Sequence, residues 1–144
     1  MGRLQVSGLV VDTHVLIWLL SKSRNLGVQA RAGIRKAAAA NSLHVSAITP
    51  WEIAMLISKG RLRLERDVGE WMDKALALPG IKLEPLSPAI AVASTRLPGT
   101  LNQDPADRII VATARHLALP LITADANLLK YSAQGHVKAV RATK

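Results

Sequence analysis

The sequence predicts a single α/β domain with a mainly parallel central sheet and helices on both of its faces. Two observations carry this prediction. Short apolar runs alternate with helical patterns along the whole chain, and several of these runs are apolar throughout, as in strands buried on both faces. The length of 144 residues suits one domain, 1–144, and no repeat, linker or composition shift divides it.

Each predicted element has a boundary signal in the sequence. Asp12 ends the first apolar run, Gly60 follows the third helix, and the pairs Ser87-Pro88 and Asp104-Pro105 each open a helix. In order, the predicted elements are a strand at 9–11, helices at 13–20 and 28–40, a strand at 43–46, helices at 49–59 and 67–78, a strand at 81–86, helices at 88–96 and 104–117, a strand at 120–123, a helix at 125–131 and a strand at 137–140.

The composition limits the classes of function. Nineteen Lys and Arg against ten Asp and Glu give a formal charge of +9, which favours a polyanionic partner such as nucleic acid. The absence of cysteine excludes a disulfide framework, a cysteine zinc site and a thiol nucleophile. The longest early apolar stretch, 9–20, contains Asp12 and His14 and is too short to span a membrane, so we expect a cytoplasmic protein without a membrane segment.

Five of the ten acids are embedded between apolar residues at junctions between strand and helix patterns. They are Asp12, Glu52, Asp104, Asp107 and Asp125. In a parallel sheet every strand-to-helix junction lies on the same rim, at the carboxyl ends of the strands. We therefore expect these five carboxylates to converge on one cleft.

Each acid also has a plain structural interpretation, which the sequence leaves open. Thr49 and Glu52 match a capping box with Pro50 at the first helical position, and Asp104 and Asp125 match helix N-caps. Crowded carboxylates repel one another, however, unless a cation neutralises them. A hard divalent ion, Mg²⁺ or Mn²⁺, suits such oxygen ligands and activates water for in-line attack on a phosphodiester.

An acidic, metal-holding cleft inside a basic protein is the electrostatic arrangement expected of a nuclease. On this hypothesis basic side chains around the rim hold the RNA backbone, and the candidates are Arg31, Arg35, Lys59 and Arg61. The four histidines have no metal-ligand spacing, and Trp18, Trp51 and Trp71 are expected in the core or at an interface. The chain has no glycine-rich phosphate loop and no nucleophile elbow.

At these acids the chain resembles the PIN-domain ribonucleases, and more narrowly the VapC-type toxins of toxin–antitoxin pairs. The matching segments are VVDTHVLIW (10–18), SAITPWEIA (46–54), DPADRIIVATA (104–114) and PLITAD (120–125), in family order and spacing. The resemblance implies an Mg²⁺- or Mn²⁺-dependent endoribonuclease, inhibited by a VapB-like antitoxin and homodimeric.

The resemblance also implies roles for individual residues. Asp12, Glu52, Asp107 and Asp125 would form the catalytic site, Asp104 would join Asp12, Asp107 and Asp125 as a metal ligand, and Thr13 and Thr123 would be supporting hydroxyls. Independently of the resemblance, Arg108 beside Asp107 is a supporting candidate that could pair with a carboxylate or with a substrate phosphate. The sequence departs from its relatives at Asn102, Gln103 and Ala106, where a His-Arg pair and a Phe are common.

Two other functions compete with the nuclease hypothesis. A phosphatase using Asp12 as nucleophile would want a second Asp two residues later, where the chain has His14. A non-catalytic basic module that binds RNA or an antitoxin would have no need to gather acids near a polyanion.

Overall fold

The computed structural model describes residues 8–144 and contains, within that range, five strands and seven helices. They are β1 (Leu9–Val11), α1 (Thr13–Ser21), α2 (Val28–Ala39), β2 (Leu43–Ser46), α3 (Ile48–Ser58), α4 (Val68–Leu76), β3 (Ile81–Glu84), α5 (Pro88–Ser94), α6 (Pro105–Leu117), β4 (Leu121–Thr123), α7 (Ala126–Ser132) and β5 (Ala139–Arg141). Every predicted element is present in the predicted order, and the ends differ by one or two residues.

The five strands form one sheet in the order β3-β2-β1-β4-β5, and each neighbouring pair is parallel. The chain starts at the central strand β1, moves outward to β3, and returns to the other side of β1 as β4. The direction of winding therefore reverses between β1 and β4. Open α/β sheets have a crevice at such a point, outside the carboxyl ends of the two strands.

Side chains of the central strand point alternately to the two faces of the sheet, and both faces are covered. Leu9 and Val11 pack in one core cluster with residues of α1, α2 and α4. Val10 packs in a second cluster with residues of α6 and α7. Burial on both faces explains the continuously apolar strands and confirms the predicted α/β class.

The N-terminus of α3 differs from the prediction. The helix begins at Ile48 with Ala47 at the N-cap, and the Ser46 hydroxyl accepts from the backbone N–H of Ile48 at 3.2 Å. The capping box of Thr49 and Glu52, which the sequence left open, is therefore not formed. Pro50 is the third residue of the helix, where its missing N–H costs no intrahelical hydrogen bond. As a result, the Thr49 hydroxyl and the Glu52 carboxylate are available for contacts with other elements.

The predicted location of the tryptophans is confirmed for two of the three. Trp18 and Trp71 are partly buried against the core cluster that contains Leu9 and Val11, whereas Trp51 is 54% exposed on α3. Within residues 8–144, no helix is both long and apolar enough to cross a membrane.

Candidate active site

Asp12 lies at the point where the sheet reverses its winding direction, directly after β1. Its side chain is 7% exposed, and both of its oxygens accept hydrogen bonds. The backbone N–H of Thr13 donates to Oδ1 at 2.8 Å, and the Thr123 hydroxyl at the end of β4 donates to Oδ2 at 2.6 Å. Burial nevertheless raises the pKa of Asp12 above its ordinary value, against the effect of these two donors.

Glu52 is joined to the start of α1 by a threonine hydroxyl. Thr13 Oγ1 donates to Glu52 Oε1 at 2.5 Å and lies 3.1 Å from Thr49 Oγ1, and both threonines are fully buried. This contact holds the first turn of α3 beside Asp12. Burial raises the pKa of Glu52, and the charges of Asp12 and Asp104 raise it further.

Two acids lie at the start of α6, and they have different partners. Asp104 is the N-cap, and its Oδ1 accepts from the backbone N–H of Ala106 at 2.9 Å. Asp107, one turn into the helix, accepts from Asn102 Nδ2 at 3.2 Å. Burial, followed by repulsion from Asp104, raises the pKa of Asp107 to about 7, although the Asn102 amide opposes the shift.

Asp125 is the N-cap of α7 and the fifth member of the cluster. Its Oδ1 accepts from the backbone N–H groups of Asn127 and Leu128 at 2.7 and 3.2 Å. Its charge contributes to raising the pKa of both Asp12 and Asp107. The structure therefore brings all five sequence-predicted acids within electrostatic reach of one another, and we call these five residues the acidic cluster.

The donor set of the acidic cluster suits a hard divalent cation. It consists of carboxylate oxygens, the ligands that Mg²⁺ and Mn²⁺ prefer. Within residues 8–144, none of these carboxylates forms an ion pair with a lysine or arginine, and the ion pair found in that range joins His44 to Glu84. As placed, no three His, Asp or Glu side chains in the described range are already close enough to hold an ion together. The donor chemistry therefore suits a metal ion, although the described side chains do not already form its coordination sphere.

The structure separates the three residues predicted to support the site. Thr13 and Thr123 donate hydrogen bonds to Glu52 and Asp12, as described above. Arg108 instead turns away from the acids. Its Nε donates to Ser94 O at 2.8 Å, and its Nη1 donates to Leu101 O and Asn102 O, both at 3.2 Å. Its guanidinium therefore ties together the end of α5 and the segment before α6.

The structure divides the predicted RNA-holding cations between two places. Arg31 and Arg35 line a groove that reaches Leu43 and Ile81, at the amino ends of β2 and β3. That edge of the sheet is opposite to the one that carries the acids. Lys59 and Arg61 are exposed at the far end of α3, about 10 Å beyond Glu52 along the helix.

Sequence reasoning missed the contacts of two residues: Thr49 lies against Thr13, and Asn102 contacts the acidic cluster. A helix cap was the interpretation considered for Thr49, and the signal that favours its buried role is its position between apolar residues in a helix with little polar character. Asn102 was noted only as a departure from related sequences. No local pattern could assign its amide, because its partner Asp107 lies in the following helix.

Comparisons with known proteins identify the family of this chain and proteins of similar fold. The sequence profile of the PIN domain family matches residues 9–134. Ribonuclease VapC22 of Mycobacterium tuberculosis (strain ATCC 25618 / H37Rv) is 30% identical over 119 residues, which cover 83% of this chain and 88% of that protein.

Solved structures of similar architecture come from toxin–antitoxin complexes. VapBC2 from Rickettsia felis, bound to a DNA fragment from its promoter, matches with a TM-score of 0.65 at 13% identity and covers 92% of this chain and 97% of that chain. A toxin–antitoxin complex from Klebsiella pneumoniae matches with a TM-score of 0.54 at 25% identity, over 82% of this chain and 87% of that chain.

Proposed function

Because this chain belongs to the PIN domain family, we propose that it is a metal-dependent endoribonuclease toxin that is neutralised by a VapB-like antitoxin. The observation that carries the proposal is the convergence of five carboxylates at the β1–β4 reversal in a chain of net charge +9. The relationship to a VapC ribonuclease supports RNA as the substrate. We also retain the cytoplasmic location expected from the sequence.

The proposed ligands of the metal ion are Asp12, Asp104, Asp107 and Asp125, and the proposed ion is Mg²⁺, with Mn²⁺ as a substitute. Such an ion, when bound, supplies a Lewis acid that polarises the phosphodiester and lowers the pKa of water. As long as no cation is bound, burial and then repulsion from Asp104 disfavour the charged form of Asp107 and raise its pKa to about 7.

The remaining residues of the site orient the reacting groups. Glu52, held by the Thr13 hydroxyl, is placed to orient the attacking water, and the hydroxyl of Thr123 fixes the orientation of Asp12. Attack of water on phosphorus forms one P–O bond and breaks the P–O3′ bond. The expected products are a 5′-phosphate and a 3′-hydroxyl, whose proton comes from solvent.

The test of this function is RNA cleavage by purified, antitoxin-free protein. Total RNA is incubated with the protein in Mg²⁺, in Mn²⁺ and in EDTA, beside the Asp12→Asn and Asp73→Asn variants. We expect cleavage in either metal, none in EDTA, and a loss of at least about 100-fold in Asp12→Asn. Asp73 is an exposed acid on α4, and its Asn variant should cleave RNA as well as the unmodified chain does. Cleavage that persists in EDTA or in Asp12→Asn would contradict the metal–carboxylate mechanism.

For the antitoxin we propose a binding site in the groove between α1, α2 and α4. The groove has a volume of about 940 Å³ and an apolar floor that includes Leu20, Ile34 and Trp71. Its rim carries six cations and one acid, namely Lys22, Arg31, Arg35, Arg63, Arg66, Lys74 and Glu65. An acidic amphipathic segment complements both features, since its apolar face covers the floor while its carboxylates meet the rim.

Charge reversal in this groove tests the antitoxin proposal. The chain is co-expressed with its antitoxin, and the affinity of the purified pair is measured for Arg35→Glu and for Arg24→Glu. Arg35 lines the groove, whereas Arg24 is an exposed cation outside it. We expect Arg35→Glu to weaken binding about tenfold and Arg24→Glu to leave it unchanged. Equal affinities would exclude this groove as the antitoxin site.

We further propose that the chain forms a homodimer, as the family resemblance implies. Three large apolar side chains, Trp51, Leu86 and Val92, are 54%, 43% and 47% exposed on or next to α3 and α5, and contact with a second copy would cover them. Light scattering on the purified chain should give twice the monomer mass of 15.4 kDa, and a monomeric mass at micromolar concentration would contradict the proposal.

A further inference from the structure

We propose that Asn102 is a positioning residue for the Asp107 carboxylate, and that Arg108 holds Asn102 in place. The inference deepens the proposed function and rests on the metal site proposed above. It concerns one neutral side chain that lies outside the acidic cluster but contacts two of its members.

Among the described residues, the Asp107 carboxylate has a single hydrogen-bond donor, and that donor is a side chain outside α6. Asp12 accepts two hydrogen bonds, Asp125 accepts two from the first turn of α7, and Asp104 accepts one from the first turn of α6. Within residues 8–144, the hydrogen bond to the Asp107 carboxylate comes from Asn102 Nδ2 alone, at 3.2 Å. The orientation of this carboxylate therefore depends on Asn102.

The Asn102 amide is itself fixed from its other end. Asn102 Oδ1 accepts from the backbone N–H of Asp104 at 2.9 Å. This contact requires the oxygen to face Asp104, and so it directs the NH₂ group toward Asp107. One amide thus connects the cap of α6 with the acid one turn into the same helix.

Arg108 restrains the backbone that carries Asn102. Its guanidinium donates to the carbonyls of Leu101 and Asn102 and to that of Ser94 at the end of α5. Leu101 is also buried, which anchors this segment in the core. The segment before α6 is therefore held at two carbonyls, and tied to the end of α5 through a third, by a residue next to Asp107 in the sequence.

A neutral donor has a specific advantage at this position. A lysine or arginine beside Asp107 would orient the carboxylate equally well, but its positive charge would repel a divalent cation. An amide orients the carboxylate and leaves its negative charge uncompensated. Outer partners of metal ligands commonly change metal affinity by about 10- to 100-fold when they are removed.

The test measures Mn²⁺ affinity by calorimetry for the full chain and its Asn102→Ala variant, with Gln134→Ala as the matched control. Gln134 holds the same connecting segment through two hydrogen bonds to the backbone of Thr100 but makes none to an acid of the cluster. We expect Asn102→Ala to weaken Mn²⁺ binding about tenfold, and Gln134→Ala to leave it within about twofold. Equal affinities for Asn102→Ala and the unmodified chain would overturn the inference while leaving the metal site in place.

A double-mutant cycle separates positioning from a general loss of structure. In the Asp107→Asn background, Asn102→Ala should cause no further loss of Mn²⁺ affinity, because the carboxylate on which it acts has been removed. An additional tenfold loss in that background would show that Asn102 acts through the fold, and would overturn the inference. If the unmodified chain binds no Mn²⁺ at millimolar concentration, the proposed metal site fails, and the positioning role fails with it.

Discussion

At the scale of single residues, the acidic cluster is governed by two opposing effects. Burial disfavours the charged form of a carboxylate, and neutral donors favour it. Asp12 is the most buried of the five acids and has the Thr123 hydroxyl at 2.6 Å, yet its pKa is still raised by burial. Burial therefore outweighs the donors, and the proposed cation would favour the charged form.

The raised pKa of Asp107 predicts how stability depends on pH in the absence of metal. Its folded-state pKa of about 7 exceeds the ordinary value of 3.8, so the folded chain binds this proton more tightly than the unfolded chain does. The resulting stabilisation is present below about pH 4 and is lost as the pH rises through 7. Asp107→Asn removes this ionisation. We expect it to raise the free energy of unfolding at pH 8 by about 2 kcal/mol, which is less than the full pKa difference would give, because solvent reaches part of the carboxyl group.

Urea denaturation in EDTA, at about pH 5 and pH 8, measures this effect. Asp73→Asn is the matched control, because Asp73 is exposed on α4 and has no partner in the cluster. The difference between Asp107→Asn and the parent chain should grow from about pH 5 to pH 8, whereas that of the control should not. A constant difference for Asp107→Asn would argue against a buried, repelled carboxylate.

The sequence predicted single residues well where their contacts are local and poorly where they are not. The caps formed by Asp104 and Asp125 depend on N–H groups two or three residues away, and both were expected. The contact between Thr13 and Glu52 spans 39 residues, and the local pattern suggested a capping box instead. No local sequence pattern predicted that Arg108 would donate to three backbone carbonyls. The catalytic and ligand roles of these residues stay predictions.

At the scale of elements, the start of α6 combines a helix cap and a proposed metal ligand in one residue, Asp104. Two substitutions separate these roles. Asp104→Asn keeps an N-cap acceptor, so stability should change by less than about 0.5 kcal/mol, while loss of the charge should weaken Mn²⁺ binding. Asp104→Ala should weaken Mn²⁺ binding similarly and also cost about 1 kcal/mol of stability.

Calorimetry with Mn²⁺ and urea denaturation of both variants measure the two effects separately. Unchanged Mn²⁺ affinity in Asp104→Asn would assign Asp104 to the cap alone. Loss of stability in Asp104→Asn equal to that in Asp104→Ala would contradict the capping role, since asparagine and aspartate cap equally well.

The turn between α4 and β3 provides a test of packing between elements. Gly80 has a φ of +85°, and a Cβ there would lie 2.0 Å from the carbonyl oxygen of Ala38 in α2. Gly60, after α3, has a similar φ of +70° but no atom within 4 Å of such a Cβ. Gly60→Ala should therefore cost only the backbone strain of about 1 kcal/mol, and Gly80→Ala about 3 kcal/mol or more, because α2 must also move.

The free energy of unfolding of the two alanine variants tests this difference directly. If both variants lose the same free energy of unfolding, α2 accommodates the new methyl group without cost. That result would contradict the close contact between the last turn of α2 and Gly80. Gly60→Ala is the matched control because it carries the same strain of left-handed backbone without the contact.

The order and type of the elements were predictable because each strand is short, apolar and bounded by a turn or cap residue. The order of strands in the sheet was not, because pairing of β1 with both β2 and β4 depends on packing between distant segments. The five acids converge as long as all strands are parallel, since the carboxyl ends of parallel strands share one rim of the sheet. That is why the acidic cluster was predicted before the reversal between β1 and β4 was known.

At the scale of the whole molecule, the charge is divided between two regions. Nineteen lysines and arginines face only five acids outside the acidic cluster, which leaves a formal charge of +14 on the rest of the chain. Six of these cations rim the groove between α1, α2 and α4, at the sheet edge away from the acids. The basic surface therefore offers separate regions for the proposed protein partner and for RNA.

This division predicts how RNA binding responds to salt. In the cleavage-deficient Asp12→Asn background, the affinity for a short single-stranded RNA should fall with KCl with a log–log slope of about −3, the value for four phosphate contacts. Replacing Lys59 and Arg61 by alanine should make the slope shallower by about 1.4, as two contacts are lost. Arg35→Ala, in the groove, should leave the slope unchanged.

Fluorescence anisotropy between about 50 and 300 mM KCl measures all three slopes. An equal change in Arg35→Ala would assign the groove to RNA instead of the antitoxin, because only cations that contact phosphates contribute to the slope.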